Sequence, residues 1–170
     1  GSLTVSGNSA ADPINMASLT TVGGSLDLSG NTSVSSIDLG GVTTVGGNLD
    51  VSGNTSATVI DMASLTTVGG SLTVSDNPAA DPINMSSLTT VGGAVTVSGN
   101  VSVVGLDLSN LDSAGSVDIS DNASVSSIDL GGVTSVSGDL TVVDNGGAAV
   151  DMSAGATVGG SVTIETTSTG

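Results

Sequence analysis

The sequence predicts an all-β protein, a right-handed parallel β-helix (β-solenoid) of about seven rungs, each 22 or 23 residues long. Internal repetition is the first observation behind this prediction. The phrase GSLTVSGN of residues 1–8 returns in variant form, so that rungs start at residues 1, 24, 47, 70, 93, 115 and 138, with a partial rung from 160. The second observation is that apolar residues inside each unit recur every two positions, which is the period of a β-strand.

Each unit contains two clear strand segments. In the first rung, Leu3 and Val5 alternate with polar residues, and Ile14 and Met16 do the same. The segment Ser6–Asn8 between them is rich in turn-forming residues. The unit is too short for a strand and a full helix, and Thr, Val, Ser and Gly are β-formers or poor helix formers. We therefore expect no helix.

A third strand segment closes the unit. The residues from Leu19 to Val22 read as a strand that leads through Gly23 and Gly24 into the next rung, which predicts one long, bent strand from Thr21 to Ser29. Stacked rungs lie about 4.8 Å apart, and equivalent side chains then form columns along the rod. The right-handed sense is the one that strand chirality favours for parallel crossovers.

The composition narrows the range of functions. The chain has no Lys, Arg, His, Cys or aromatic residue, and its formal net charge is −16. Because nucleic acids and anionic membranes are bound through Lys and Arg, we expect neither partner. No apolar run is long enough for direct membrane insertion. Without the usual general base, thiolates or aromatic sugar platforms, we also expect the protein not to be an enzyme and to need no cofactor.

Three phrases resemble a known repeat. They are the motif of residues 1–8, the motif SIDL of residues 36–39 and the motif LTTVGG of residues 65–70. Together they resemble the repeat of receptor L domains, which occur in growth-factor receptor ectodomains and fungal cell-wall glycoproteins, and similar repeats occur in long microbial surface proteins. The resemblance implies a right-handed parallel β-helix located outside the cell or on its surface.

One asparagine recurs at the turn that ends the first strand of each rung. The column consists of Asn8, Asn31, Asn54, Asn77, Asn100, Asn122 and Asn145. One interpretation is a structural ladder of stacked amides that cap turn carbonyls. The other is N-glycosylation, since N-x-S/T acceptor motifs occur at Asn31, Asn54, Asn84, Asn100 and Asn122. The two interpretations conflict at the four shared positions, because a glycan requires an outward side chain.

An acidic column follows the second strand. Asp38, Asp61, Asp107, Asp129 and Asp151 alternate with inward apolar residues and should face solvent. The simplest interpretation is a solvated acidic stripe. A row of hard oxygen ligands is also a weak candidate for Ca²⁺ binding, as in an acidic adhesin repeat.

A hydroxyl-rich face accompanies the predicted long strand. Its residues include Thr21, Ser25, Thr44, Thr67, Ser71 and Thr90. A flat, Thr-bearing solenoid face is similar to the faces of ice-binding proteins, so ice binding is an alternative function.

The principal functional prediction is an extracellular structural β-solenoid, a repeat region of a glycosylated surface, adhesive or filament-forming protein. Neither terminal rung has the atypical, polar composition of a solenoid cap, so we expect either a longer array or end-to-end self-association.

Overall fold

A computed structural model describes residues 1–9 and 13–165, which form an all-β, parallel solenoid of about seven turns. The described residues contain no helix, and accordingly none that is long and apolar enough to cross a membrane. The predicted fold class is confirmed. The tail from residue 166 and residues 10–12 lie outside the described part, as does half of the Asp12–Pro13 turn.

Three faces run along the rod, and each is built from one strand segment per rung. The first face comprises β1 (Leu3–Thr4), β4 (Leu26–Asp27), β7 (Leu49–Ser52), β10 (Leu72–Ser75), β17 (Leu140–Val143) and β20 (Val162–Ile164). The second face comprises β2 (Ile14–Asn15), β5 (Ser36–Asp38), β8 (Val59–Asp61), β11 (Ile83–Asn84), β13 (Gly105–Asp107), β15 (Ser127–Asp129) and β18 (Ala149–Asp151). The third face comprises β3 (Thr21–Val22), β6 (Thr44–Val45), β9 (Thr67–Val68), β16 (Ser135–Val136) and β19 (Thr157–Val158). Two strands, β12 (Thr90–Ser98) and β14 (Ser113–Ser120), belong to both the third and the first face.

Every strand pair is parallel and joins equivalent positions of adjacent rungs. Leu26 pairs with Leu49, and Leu49 pairs with Leu72, so identical side chains stack inside the rod with at most 1% of their surface exposed. The same register on the second face places Ile37 over Ile60. The core therefore consists of aliphatic columns, which is what burial of a strictly repeated apolar pattern produces.

The corner between the third and first faces differs from the prediction of one long strand. In the first three rungs the chain breaks at the Gly–Gly pair, and only β12 and β14 are continuous. The pair packs tightly: a Cβ at Gly47 would lie 2.5 Å from the Ser25 hydroxyl and 2.9 Å from the Ser25 backbone nitrogen. At this corner the backbone of one rung lies directly against the backbone of the rung before it, which leaves no room for a side chain at Gly47.

Side chains complete the hydrogen bonding at this corner. The backbone N–H of Asn48 donates to the hydroxyl of Ser25 at 3.1 Å, and the N–H of Ser71 donates to the Asn48 side-chain oxygen at 2.9 Å. The N–H of Ala94 then donates to the Ser71 hydroxyl at 3.1 Å. Ala94 offers no side-chain oxygen, and the following rung is one residue shorter, with Gly115 alone at the corner.

The second face is divided into two sheets. One sheet joins β2, β5, β8 and β11, the other joins β13, β15 and β18, and no ladder connects β11 to β13. The first and third faces remain one sheet of 13 strands along the whole rod. A seam on one face therefore lies between the fourth and fifth rungs, next to Asn84.

Candidate functional site

The asparagine column lies inside the rod. Its members from Asn31 onward are at most 2% exposed. The backbone N–H of each asparagine donates to the side-chain oxygen of the next one, from Asn8 to Asn145, at 3.0 to 3.2 Å. The side-chain oxygens form a continuous chain of acceptors along the rod, and every bond has the same direction.

The side-chain nitrogens of this column satisfy strand-end carbonyls. The Nδ2 of Asn77 donates to the carbonyl of Val51 at 2.9 Å and to the Oδ1 of Asn100 at 3.1 Å. Asn100 repeats the first contact with the carbonyl of Val74 at 2.8 Å. These carbonyls lie near the ends of strands of the first face, where the amide supplies a side-chain donor just before the backbone turns. The geometry is that of a structural amide ladder.

This arrangement bears directly on the glycosylation candidates. The side chains of Asn31, Asn54, Asn100 and Asn122 are enclosed, and their Nδ2 atoms are hydrogen-bonded within the rod. Attachment of a glycan at any of them would require the turn to open. Asn84 is different, because it lies on the second face between the inward Ile83 and Met85 and is partly exposed.

The acidic column of the second face builds turns. The Oδ1 of Asp38 accepts the backbone N–H of Gly40 at 2.9 Å, and the other four aspartates of the column accept from the residue two positions on at 2.8 to 3.0 Å. These are Asx turns, which fix the chain direction after the strand. Among residues 1–9 and 13–165, no group of three or more acidic side chains is arranged to hold a metal ion.

A shallow depression on the first face contains two further carboxylates, outside the acidic column of the second face. It has a volume of about 260 Å³, and its polar walls include Ser25, Asp27, Asn48, Asp50 and Thr73. Asp27 and Asp50 occupy paired positions on adjacent rungs. At the rung spacing of about 4.8 Å, two carboxylates repel by roughly 0.9 kcal/mol in water.

Asp50 is the less well accommodated of these two residues. Its Oδ1 is shielded from solvent and has no hydrogen-bond partner among the described residues. The equivalent oxygen of Asp27 accepts from both the backbone N–H and the hydroxyl of Ser29, at 3.0 and 2.7 Å. In the sequence, Asp50 is one of several aspartates in a column of the first face that otherwise carries threonine, such as Thr73. This pattern does not reveal whether the carboxylate has a hydrogen-bond partner.

Three hydroxyl-bearing columns lie at or beside the predicted ice-binding face. Thr43, Thr66 and Thr89 donate to the carbonyl of the equivalent threonine one rung earlier, at 2.9 to 3.1 Å. Ser25 and Ser71 belong to the predicted ice-binding face, but their hydroxyls accept backbone N–H groups of the next rung at the Gly–Gly corner. The third column is formed by paired, in-register residues: Thr21, Thr44, Thr67, Thr90, Ser113, Ser135 and Thr157.

We call this third column the free hydroxyl column. Its residues are half-buried to exposed, and their hydroxyls make no hydrogen bond to another described residue. The sequence did not separate it from the neighbouring threonine column, because the motif TT gives both residues the same type. The orientation of the strand distinguishes them.

Exposed apolar side chains occur at two places. Val59, Val101 and Val104 lie along the side of the rod, where 37 to 50% of each is exposed. At the last described rung, Val162 is 55% and Ile164 is 40% exposed, although they continue the inward columns of Leu140 and Val142. Comparison of the chain with protein-family models, with curated proteins and with solved structures finds no match.

Proposed function

We propose that the chain is a non-catalytic structural β-solenoid of an extracellular surface, adhesive or filament-forming protein. The asparagine ladder is the observation that carries the proposal. It links every complete rung to the next through buried hydrogen bonds, in parallel with the aliphatic columns. Such a rod transmits load along its axis and opens only when buried polar groups lose their partners.

We further propose that the repeat is of the receptor L-domain type and that the protein acts outside the cell. The support is the sequence resemblance of the three repeated phrases, together with a geometry that accommodates them rung by rung. Labelling of intact source cells with an antibody against the rod tests this location. Labelling only after the cells are permeabilised would contradict it.

Self-association is the second part of the proposal. The apolar side chains of Val162 and Ile164 continue core columns but have no rung beyond them among the described residues. Strand β20 of one copy can pair with β1 of another in the register used throughout the rod, which covers both apolar ends. Because each copy carries a charge of −16, assembly should strengthen as salt screens the repulsion.

Electron microscopy and sedimentation of the purified chain, at low and high salt, test self-association. We expect filaments or end-to-end oligomers, more abundant at high salt, and we expect the double substitution Val162→Asp and Ile164→Asp to abolish them. The matched control is the double substitution Val101→Asp and Val104→Asp, which adds the same two charges to similarly exposed valines on the side of the rod. Monomers alone at every salt concentration would refute this part of the proposal.

Ice binding is a second candidate, and the free hydroxyl column is the observation that favours it. Its hydroxyls recur at the rung spacing of about 4.8 Å and are available to ordered water. Thermal hysteresis of the purified chain tests this function. If it operates, Thr44→Tyr and Thr67→Tyr should remove the hysteresis, and Val59→Tyr on the second face should not. Absence of hysteresis in the unsubstituted chain would eliminate the candidate.

A further inference from the structure

We propose that Asn84 is the one N-glycan acceptor of the folded chain, an inference that rests on the proposed extracellular function. The sequence contains five acceptor motifs, and the fold separates them into two environments. Four lie in the buried amide ladder, and Asn84 lies on the second face. The proposal follows from what the attachment reaction requires of the acceptor nitrogen.

N-glycosylation transfers an oligosaccharide from a lipid-linked diphosphate donor to the side-chain nitrogen of asparagine. The bond between the sugar C1 and the phosphate oxygen breaks, and the lipid diphosphate leaves with the electron pair. A C1–Nδ2 bond forms, and Nδ2 loses one proton. The product amide keeps a single N–H and carries a bulky group, so its nitrogen must face solvent in the folded protein.

The ladder positions do not meet this requirement. The Nδ2 of Asn31 donates to the carbonyls of Val5 and Leu28, at 2.8 and 2.9 Å, which uses both of its hydrogens. Asn54 is fully buried, and its Nδ2 faces the Oδ1 of Asn77 in the next rung. A sugar at either nitrogen would occupy the space of an adjacent rung. Chains modified at the ladder should therefore fail to fold.

Asn84 meets the requirement. Its Oδ1 accepts the backbone N–H of Ser86 at 3.2 Å and the Ser86 hydroxyl at 2.9 Å, so the acceptor oxygen is held against the turn. No described residue accepts a hydrogen bond from its Nδ2. Because Ile83 and Met85 point into the core, the Asn84 side chain points outward.

The surroundings of Asn84 also leave lateral room. Asn84 pairs with Asp61 on one side, but the ladder is interrupted on the other side, where β13 begins a separate sheet. The equivalent position carries Asn15 in the first rung and aspartate in the five others, and these side chains have a similar size and are partly or fully exposed. A glycan at Asn84 would therefore displace bound water and would not displace packed side chains.

Secretion from a host that N-glycosylates, followed by mass analysis of the folded, secreted protein, tests the proposal. Trypsin has no cleavage site because the chain lacks Lys and Arg, but cyanogen bromide cleaves after its four methionines. The fragment 63–85 then contains Asn84 as its only acceptor asparagine, and the acceptor asparagines of the ladder fall in fragments 17–62 and 86–152. We expect one glycan, on fragment 63–85.

Two substitutions serve as controls. Asn84→Asp introduces the residue found in adjacent rungs, and Ser86→Ala removes the motif but keeps the asparagine; both should eliminate the glycan without loss of secretion. A third variant retains only the Asn84 motif and should give the same single glycan; it combines Ser33→Ala, Ser56→Ala, Ser102→Ala and Ser124→Ala.

Two results would overturn the assignment. One is an unmodified fragment 63–85 in secreted protein, including that of the variant with the single motif. The other is a glycan on fragment 17–62 or 86–152 in protein whose circular dichroism and melting match those of the unglycosylated rod. Neither result affects the filament and surface-labelling experiments, so failure of this site and failure of the proposed function are distinguishable.

Discussion

Replacement of Asn77 by alanine tests the asparagine ladder as the main polar contribution to stability. The substitution removes an oxygen that accepts the backbone N–H of Asn54 at 3.0 Å and its side-chain nitrogen at 3.2 Å. It also removes the nitrogen that donates to the carbonyl of Val51 at 2.9 Å. The backbone N–H of Asn77 keeps its bond to Asn100. The two buried donors of Asn54 therefore lose their partner, and the Val51 carbonyl, which lies in the strand ladder, loses its side-chain donor.

The expected cost follows from this count. A buried donor or acceptor without a partner costs about 1–3 kcal/mol, and water entering the vacated space relieves part of this penalty. Two such donors, together with the weakened bonding of one carbonyl, should lower the free energy of unfolding by about 2–5 kcal/mol. Loss of this size is a large share of the stability of an ordinary domain, which is about 5–15 kcal/mol.

Urea unfolding followed by far-ultraviolet circular dichroism is the appropriate assay, because the chain has no aromatic residue to report by fluorescence. The dependence on urea should be compared between variants, since a smaller slope would indicate that only some rungs unfold together. The control is Asn110→Ala, where an exposed Nδ2 donates to the carbonyl of Ser86 at 2.7 Å. A loss of unfolding free energy for Asn77→Ala no larger than that for Asn110→Ala would refute the assigned role of the ladder.

Other substitutions test individual contacts by the same assay. Asp50→Thr should stabilise the chain by about 1–2 kcal/mol, because it removes repulsion from Asp27 and an oxygen without a partner. Asp118→Thr, whose neighbours in the column are threonines, should change stability by less than about 0.5 kcal/mol, and equal effects would contradict the explanation. Gly69→Ala should destabilise by about 2 kcal/mol or more, because its Cβ would meet the carbonyl of the equivalent glycine one rung earlier. Gly105→Ala should be tolerated, since its Cβ would lie 3.4 Å from a serine hydroxyl, and an equal loss at both glycines would argue against the stacked corner.

The fold was predictable because a strict repeat converts a pattern along the chain into a column in space. The alternation at Leu3 and Val5 assigns the inward side of the first face, and the 23-residue period assigns the register without further information. The same reasoning placed Ile14 in the core and the aspartates outside. A residue type that suits only the core or only the solvent can be placed from the sequence alone.

The candidate sites were less predictable, because amides and hydroxyls suit more than one environment. The column of Asn54 is compatible with a buried ladder or an exposed acceptor, and only the position of the strand end decides between them. Likewise, Thr66 and Thr67 are identical in sequence terms, yet one hydroxyl bonds to the preceding rung and the other does not. The break at Gly46 and Gly47 depends on backbone contact between rungs, which a pattern of apolar residues does not encode.

The corner at Ala94 has a consequence for how such an array can change length. Where Ser71 supplies an oxygen, the next rung has two glycines at the corner, and where Ala94 supplies none, the next rung has Gly115 alone. The shorter corner presents one backbone N–H fewer, so the missing acceptor leaves no donor stranded. The side-chain oxygen that is absent at Ala94 and the corner residue that is absent beside Gly115 therefore compensate for each other. A 23-residue unit could be replaced by a 22-residue unit in such an array if both changes were made together.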